Sequence, residues 1–181
     1  VNVDTSVSSL DGSLDERGHG TGMTSVLVSL LNKSKLTMIK AADLNWSYPV
    51  AALQKAEKYN FDVLNCSWGI IGYEPQAYLE IVNLINNGTK VVFSCGNGSN
   101  DRKKSIFQTI AHPEILSVGG CMVNEDESIE LSDVSSSYSS DIFENRYVPD
   151  VCGLCGKLPY AQIILMPIQP NALFDILNAR R

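Results

Sequence analysis

Short apolar runs alternate along this chain with segments whose apolar residues recur at helical spacing. Residues 36–42, 62–66, 90–95 and 115–123 are nearly continuous in apolar side chains and read as strands. Between them, residues 49–59 carry helix spacing at Ala52, Leu53, Ala56 and Tyr59. Residues 74–87 put Tyr78, Leu79, Val82 and Ile85 on one predicted stripe, and Asn87-Gly88 supplies a stop signal. An apolar helix is expected over residues 22–31, and the opening Val1-Asn2-Val3-Asp4 reads as the middle of a strand, which implies sequence before it. Strands apolar on both sides need cover on both faces. The pattern therefore predicts an α/β fold: a doubly wound, mostly parallel sheet with helices on both faces. Beyond Ser132 the texture changes: Ser135-Ser136-Ser137-Tyr138-Ser139-Ser140 reads as a loop, residues 163–168 as one further strand and residues 174–177 as the start of a helix.

Composition narrows the class. The 181 residues, 44% hydrophobic and 19% charged, fit one domain over residues 1–181 with a substantial core. Fourteen Lys and Arg against 20 Asp and Glu give a formal charge of −6, which argues against a nucleic-acid or anionic-membrane surface. No run of 18 apolar residues spans a membrane, and no basic start followed by an apolar stretch marks a secretory signal. Cys66, Cys95 and Cys121 sit in apolar strings and read as small buried hydrophobes; with five cysteines in all, a reducing, cytoplasmic setting is favoured. Asn-x-Ser/Thr triplets at Asn32, Asn45, Asn65, Asn87 and Asn97 arise readily in a chain this rich in Asn and Ser and carry no weight.

Ligands bind parallel sheets beyond the carboxyl ends of the strands. Three stretches there carry chemistry: Asp4-Thr5-Ser6 after the first strand, Gly18-His19-Gly20-Thr21 at the start of a helix, and Ser94-Cys95-Gly96-Asn97-Gly98 after the strand from Lys90. A carboxylate, an imidazole and a side-chain amide on one rim are the parts for nucleophilic acyl transfer: the first orients the second, the second takes the nucleophile's proton, and the amide donates to the oxyanion.

In order and spacing these stretches resemble the subtilisin-like serine peptidases. Asp4-Thr5-Ser6-Val7 resembles their aspartate motif and Gly18-His19-Gly20-Thr21 their histidine motif. Val63-Leu64-Asn65-Cys66-Ser67-Trp68-Gly69 resembles the substrate-binding strand, and Val91-Val92-Phe93-Ser94-Cys95-Gly96-Asn97 the strand ending in the oxyanion asparagine. His112-Pro113-Glu114-Ile115-Leu116-Ser117-Val118-Gly119, Ser136-Ser137-Tyr138-Ser139 and Pro149-Asp150-Val151 resemble the strand and turns that follow; coverage runs to about residue 156, and residues 157–181 match weakly. The resemblance implies that Asp4 orients His19, that His19 is general base and then acid, and that Asn97 donates to the oxyanion. It also implies that Ser67, Trp68 and Gly69 bind an extended peptide by strand addition. With Ser94, Cys95 and Gly96 they would wall the pocket for the residue preceding the cleaved bond.

The departures are as informative as the matches. The family's nucleophile sits in a Gly-Thr-Ser motif, and none occurs here; the only Thr-Ser pairs are Thr5-Ser6 and Thr24-Ser25. The expectation is a C-terminally incomplete domain without peptidase activity, or a non-catalytic relative that binds or regulates a peptide or protease partner. Self-association through an incomplete core is a further expectation. No cofactor is implied. Acidic Asn124-Glu125-Asp126-Glu127 reads as a solvated turn, and its spacing fits no calcium loop. Cys152-Gly153-Leu154-Cys155 lacks a second pair at zinc spacing, with His112 the one spare imidazole, and reads as two thiols in a packed turn. Gly18-x-Gly20-x-Gly22 lacks the dinucleotide-binding spacing and follows charged Asp15-Glu16-Arg17 rather than a strand.

Overall fold

The computed structural model describes residues 1–4, 6–7, 14–42, 47–98, 107–155 and 166–178. The chain divides into two compact units, the first comprising Val1–Lys58 with the C-terminal stretch from Leu165, the second Tyr59–Ile164.

In the first unit, strand β1 (Asn2–Asp4) pairs in parallel with β2 (Thr37–Ile39), and helix α1 (His19–Leu30) connects them. This is a βαβ unit, as the alternating pattern predicts. The expected strand over residues 36–42 shrinks to three of its residues. Helix α2 (Pro49–Glu57) starts on a proline, whose missing N–H costs nothing at a helix N-terminus, and buries Ala52, Leu53 and Ala56 at the predicted spacing. Tyr59 lies beyond its end and stacks on Phe61 with ring centroids 5.0 Å apart. Near the C-terminus, α4 (Leu173–Asn178) forms where a helix was expected. Half of the strand predicted over residues 163–168 lies outside the described residues; Met166, Pro167 and Ile168 are irregular, and Pro167 has no N–H to give a ladder.

The second unit is built on a mostly parallel sheet. Strand β3 (Val63–Cys66), helix α3 (Pro75–Asn86) and β4 (Lys90–Ser94) form a second βαβ unit, with Cys66 opposite Phe93. Strand β5 (Leu116–Val123) runs parallel to β4, and β9 (Val151–Leu154) runs parallel to β5. Val118 pairs with both Ser94 and Val151, so β4 and β9 occupy opposite edges of β5. The antiparallel β6 (Ile129–Leu131) then takes over β4's edge, because Cys121 pairs with both Leu131 and Leu154. A small antiparallel pair, β7 (Tyr138–Ser139) and β8 (Tyr147–Val148), completes the unit. Its core is built around Phe93, Ile81, Leu84, Val91, Ile110 and Ile115, all buried.

Three expectations need correction. Helix α3 forms where predicted, capped by Glu74, whose carboxylate accepts from the Ala77 amide, but it buries Ala77, Glu80, Ile81 and Leu84 instead of the predicted stripe. Leu79 is exposed, and half-buried Tyr78 packs its ring against Tyr73, His112 and Phe143. The serine-rich patch is not a plain loop: Ser135, Ser136 and Tyr138 are buried, and Tyr138–Ser139 forms β7. The Cys152–Cys155 stretch is a strand rather than a turn, because β9 pairs along β5 up to Leu154. Three residues apart on extended chain, the two thiols point to opposite faces, and both are free.

Candidate functional site

Two of the predicted triplets meet. Because β3 and β4 are parallel neighbours in register, their carboxyl ends deliver Ser67-Trp68-Gly69 and Ser94-Cys95-Gly96 side by side. The Ser94 hydroxyl donates to the Trp68 carbonyl at 3.4 Å, and the Trp68 indole packs edge-on against Phe93 with centroids 5.2 Å apart. Asn65 donates its amide to the Ser67 hydroxyl at 3.0 Å. Gly69 is exposed and Ser67 and Trp68 half-buried, so the end of this strand reaches solvent.

Asn97 stands exposed just past β4, on a bend fixed from across the unit. Gly96 adopts φ 100°, in the left-handed region that favours glycine. Its carbonyl accepts from the Ser136 amide at 2.9 Å, and the Ser136 hydroxyl accepts from the Gly98 amide at 2.8 Å. Cys95 is buried, its Sγ donating to the Ser136 carbonyl at 3.0 Å and lying 3.3 Å from the Ser135 hydroxyl. Burial pushes this thiol above its ordinary range and closes the side chain off from solvent. Ser135 and Ser136 are positioning residues that sequence reasoning passed over; the signal was the Ser136-Ser137-Tyr138-Ser139 resemblance, which gave no reason for the serines.

Asp4 and His19 belong to the first unit, each in its own local frame. Asp4 ends β1; its Oδ1 accepts from the Ser6 amide at 2.9 Å and hydroxyl at 2.7 Å, and Lys55 Nζ lies 3.3 Å from Oδ2. His19 opens α1, exposed, with its ring edge-on to Phe174 at 6.4 Å between centroids. Asp15, which the sequence reading did not single out, organises this helix start. Its carboxylate accepts from the Gly18 amide at 2.9 Å, the Thr21 amide at 2.6 Å and the Thr21 hydroxyl at 2.8 Å, satisfying donors that the helix leaves unpaired. The C-terminal stretch docks on the same loop. Gln169 accepts from the Asp15 amide at 2.6 Å, and the Leu173 and Phe174 amides donate to Glu16 and Arg17 at 2.8 and 3.1 Å.

Among the described residues no cluster of three or more His, Cys, Asp or Glu could hold a metal. No helix among them is long and apolar enough to cross a membrane. Asp126 lies in an exposed turn where Ser128's amide and hydroxyl hold its carboxyl below the usual carboxylate range. His112 keeps its Nδ1 as an acceptor from the Glu114 amide at 3.1 Å, and burial lowers its pKa, as suits a packed neutral imidazole.

No protein-family model matches the sequence, and no curated protein is significantly similar to it. Solved structures do match. Sphericase superposes with a TM-score of 0.66 at 14% identity, covering 98% of this chain and 69% of that one. The S218A mutant of the PatA protease domain gives 0.59 at 15%, covering 85% and 58%. Pseudomonas sedolisin, a serine-carboxyl proteinase, gives 0.60 at 16%, covering 84% and 56%. The chain thus spans little more than half of the latter two structures. At such identities the likeness establishes the fold: this chain has the α/β fold of the subtilisin-like proteases, as its motifs implied.

Proposed function

We propose that this chain carries the substrate-binding strands and the base-bearing elements of a subtilisin-like serine peptidase site, without its nucleophile. Asp4 orients His19, His19 is the general base, and Asn97 donates its amide to the oxyanion. Ser67, Trp68 and Gly69 bind an extended peptide by strand addition, and Ser94, Cys95 and Gly96 complete the pocket wall. The observation that carries this reading is the meeting of the two triplets at the carboxyl ends of β3 and β4. No Gly-Thr-Ser occurs in the 181 residues, and loss of a triad nucleophile costs on the order of 10⁶ in rate, so this chain binds peptides without cutting them.

One observation favours a second reading, a non-catalytic peptide binder: the Lys55 ammonium 3.3 Å from Asp4 Oδ2 offsets the negative field by which that carboxylate would stabilise a protonated His19. Continuation of the coding sequence to a Gly-Thr-Ser motif decides for the peptidase, and a stop codon after Arg181 for the binder. Both readings share one experiment. An extended tetra-alanine amide is expected to shift the backbone amide signals of Ser67–Gly69, while a fluorophosphonate serine probe labels nothing. Stoichiometric labelling abolished by His19→Ala overturns the missing nucleophile; unshifted Ser67–Gly69 signals overturn the peptide site.

A further inference from the structure

The rim between β3 and β4 is already filled by the chain itself. A Cβ built on Gly69 would lie 2.7 and 2.9 Å from Cε1 and Cδ1 of Phe107, and one built on Gly96 would meet the opposite edge of the same ring, 2.8 Å from Cδ2 and 3.0 Å from Cζ. One aromatic ring thus lies edge to edge between two glycines, one from each of the triplets proposed to bind peptide. The left-handed φ of Gly96 explains glycine there on backbone grounds. No such strain applies at Gly69, so the ring itself is what excludes a side chain at that position.

This ring is only partly taken up by the core. Phe93, a true core side chain, is fully buried; Phe107 is half-buried and lies against Gly69, whose backbone is exposed. It touches the cluster of Cys95, Ala111, Tyr138 and Val148 from outside. Its backbone, by contrast, is pinned: the Phe107 carbonyl accepts from the Tyr138 hydroxyl at 3.0 Å and the Ile110 amide at 3.3 Å, at the head of the 3-10 turn Gln108–Ala111. The ring can therefore leave by rotation about its own χ1 while the main chain stays in place.

We infer that Phe107 is a plug: its ring fills the space between Gly69 and Gly96, and a peptide's aromatic residue must displace it to enter there. The inference rests on the proposed peptide site for the identity of the displacing ligand. The occupant is held on three sides: a glycine meets each edge of the ring, and the apolar cluster packs against it. Apparent affinity is then scaled down to the fraction of molecules whose slot is open, so removing the plug strengthens binding without adding any contact.

The test compares the wild type with Phe107→Ala, using Ala-Ala-Ala-Phe-NH2, Ala-Ala-Ala-Ala-NH2 and toluene as probes. Phe107→Ala is expected to bind the phenylalanine peptide about tenfold or more tightly than the wild type does, the value of burying one ring, with the alanine peptide unchanged. Toluene should bind the variant and not the wild type, because an apolar cavity accepts a small aromatic. Equal affinity of both proteins for the phenylalanine peptide and for toluene overturns the plug. If neither peptide shifts Ser67–Gly69 in either protein, the peptide site fails, and toluene uptake alone then decides the slot. Should Phe107→Ala not fold, the wild type gives the answer: ring-labelled Phe107 signals should move toward solvent-exposed values on adding the phenylalanine peptide and not the alanine peptide. Signals that stay put overturn the plug.

Discussion

Strands β4 and β1 each lead to a residue proposed for catalysis, yet they hold it by different means. In β4, Val91 and Phe93 are 2% and 0% exposed, and β3 and β5 flank the strand on both edges. Asn97 inherits its position from that framework and from Ser135 and Ser136. In β1, Val3 is 56% exposed, Val1 just before the strand is 69% exposed, and β2 is its one partner strand among the described residues. Asp4 is held by short-range polar contacts, to Ser6 and Lys55. The comparison teaches that buried sheet and a few polar contacts hold a residue by different means, and that the two respond to mutation on different scales.

The largest effect expected follows directly. Phe93→Ala removes a fully buried ring and should cost about 3–5 kcal/mol, while Val3→Ala should stay within about 0.5 kcal/mol. Denaturant unfolding followed by circular dichroism measures both. Equal losses would break the comparison.

A smaller effect sharpens it, because the second unit is also tied by charge. Arg146 makes a bidentate pair with Asp150, its NH2 2.7 Å from Oδ2, and also donates to the carbonyls of Ala111 and Ile115 at 3.3 and 3.2 Å. Asp150 in turn accepts from the Ser117 amide at 2.7 Å, joining the β8–β9 turn to the start of β5. The Arg146 hydrogen bonds hold the Asp150 carboxyl below its usual range. A depressed folded-state pKa means that the stabilisation is fully present above the ordinary carboxylate value near about pH 4 and is lost as pH falls through the folded value. Asp150→Asn should cost on the order of 1–2 kcal/mol at pH 7, discounted for the partial exposure of the pair, and should flatten the stability profile below about pH 4. Unfolding midpoints at both pH values measure it; a variant as acid-sensitive as the wild type would refute the assignment.

What the sequence made legible follows the same division. Strands β3, β4 and β5 stand out because burial on both faces forces an apolar run, and helices α2 and α3 because their starts and stops are marked by Pro49, Pro75 and Asn87-Gly88. The buried face of α3 was illegible: Tyr78, Leu79, Val82 and Ile85 are individually larger than Ala77, but small Ala77 is what lets the helix lie close, and Tyr78 is drawn to the ring cluster of His112 and Phe143. The serines were illegible for another reason. Ser136 matters through hydrogen bonds to residues 38 and more positions earlier, and composition registers such a stretch only as low complexity. Phe107 escaped notice because the glycines that receive its ring lie on two other segments.

The smallest effect concerns the local capping that holds the start of α1. Asp15 stands three residues before Gly18, the residue preceding the helix, and its carboxylate takes the Thr21 amide and hydroxyl together with the Gly18 amide. A carboxylate at that end also meets the positive pole of the helix dipole. Asp15→Ala should therefore cost about 1 kcal/mol, the usual worth of a lost N-terminal cap, and Asp15→Asn, which keeps an acceptor oxygen, less than half of that. The specific readout is amide hydrogen exchange. Thr21 should lose protection in Asp15→Ala while Phe93, in the other unit, keeps its own. If Thr21 exchange is unchanged, the helix carrying His19 is held by the packing of Ile168 and Ala172 against Gly18, and capping contributes little there.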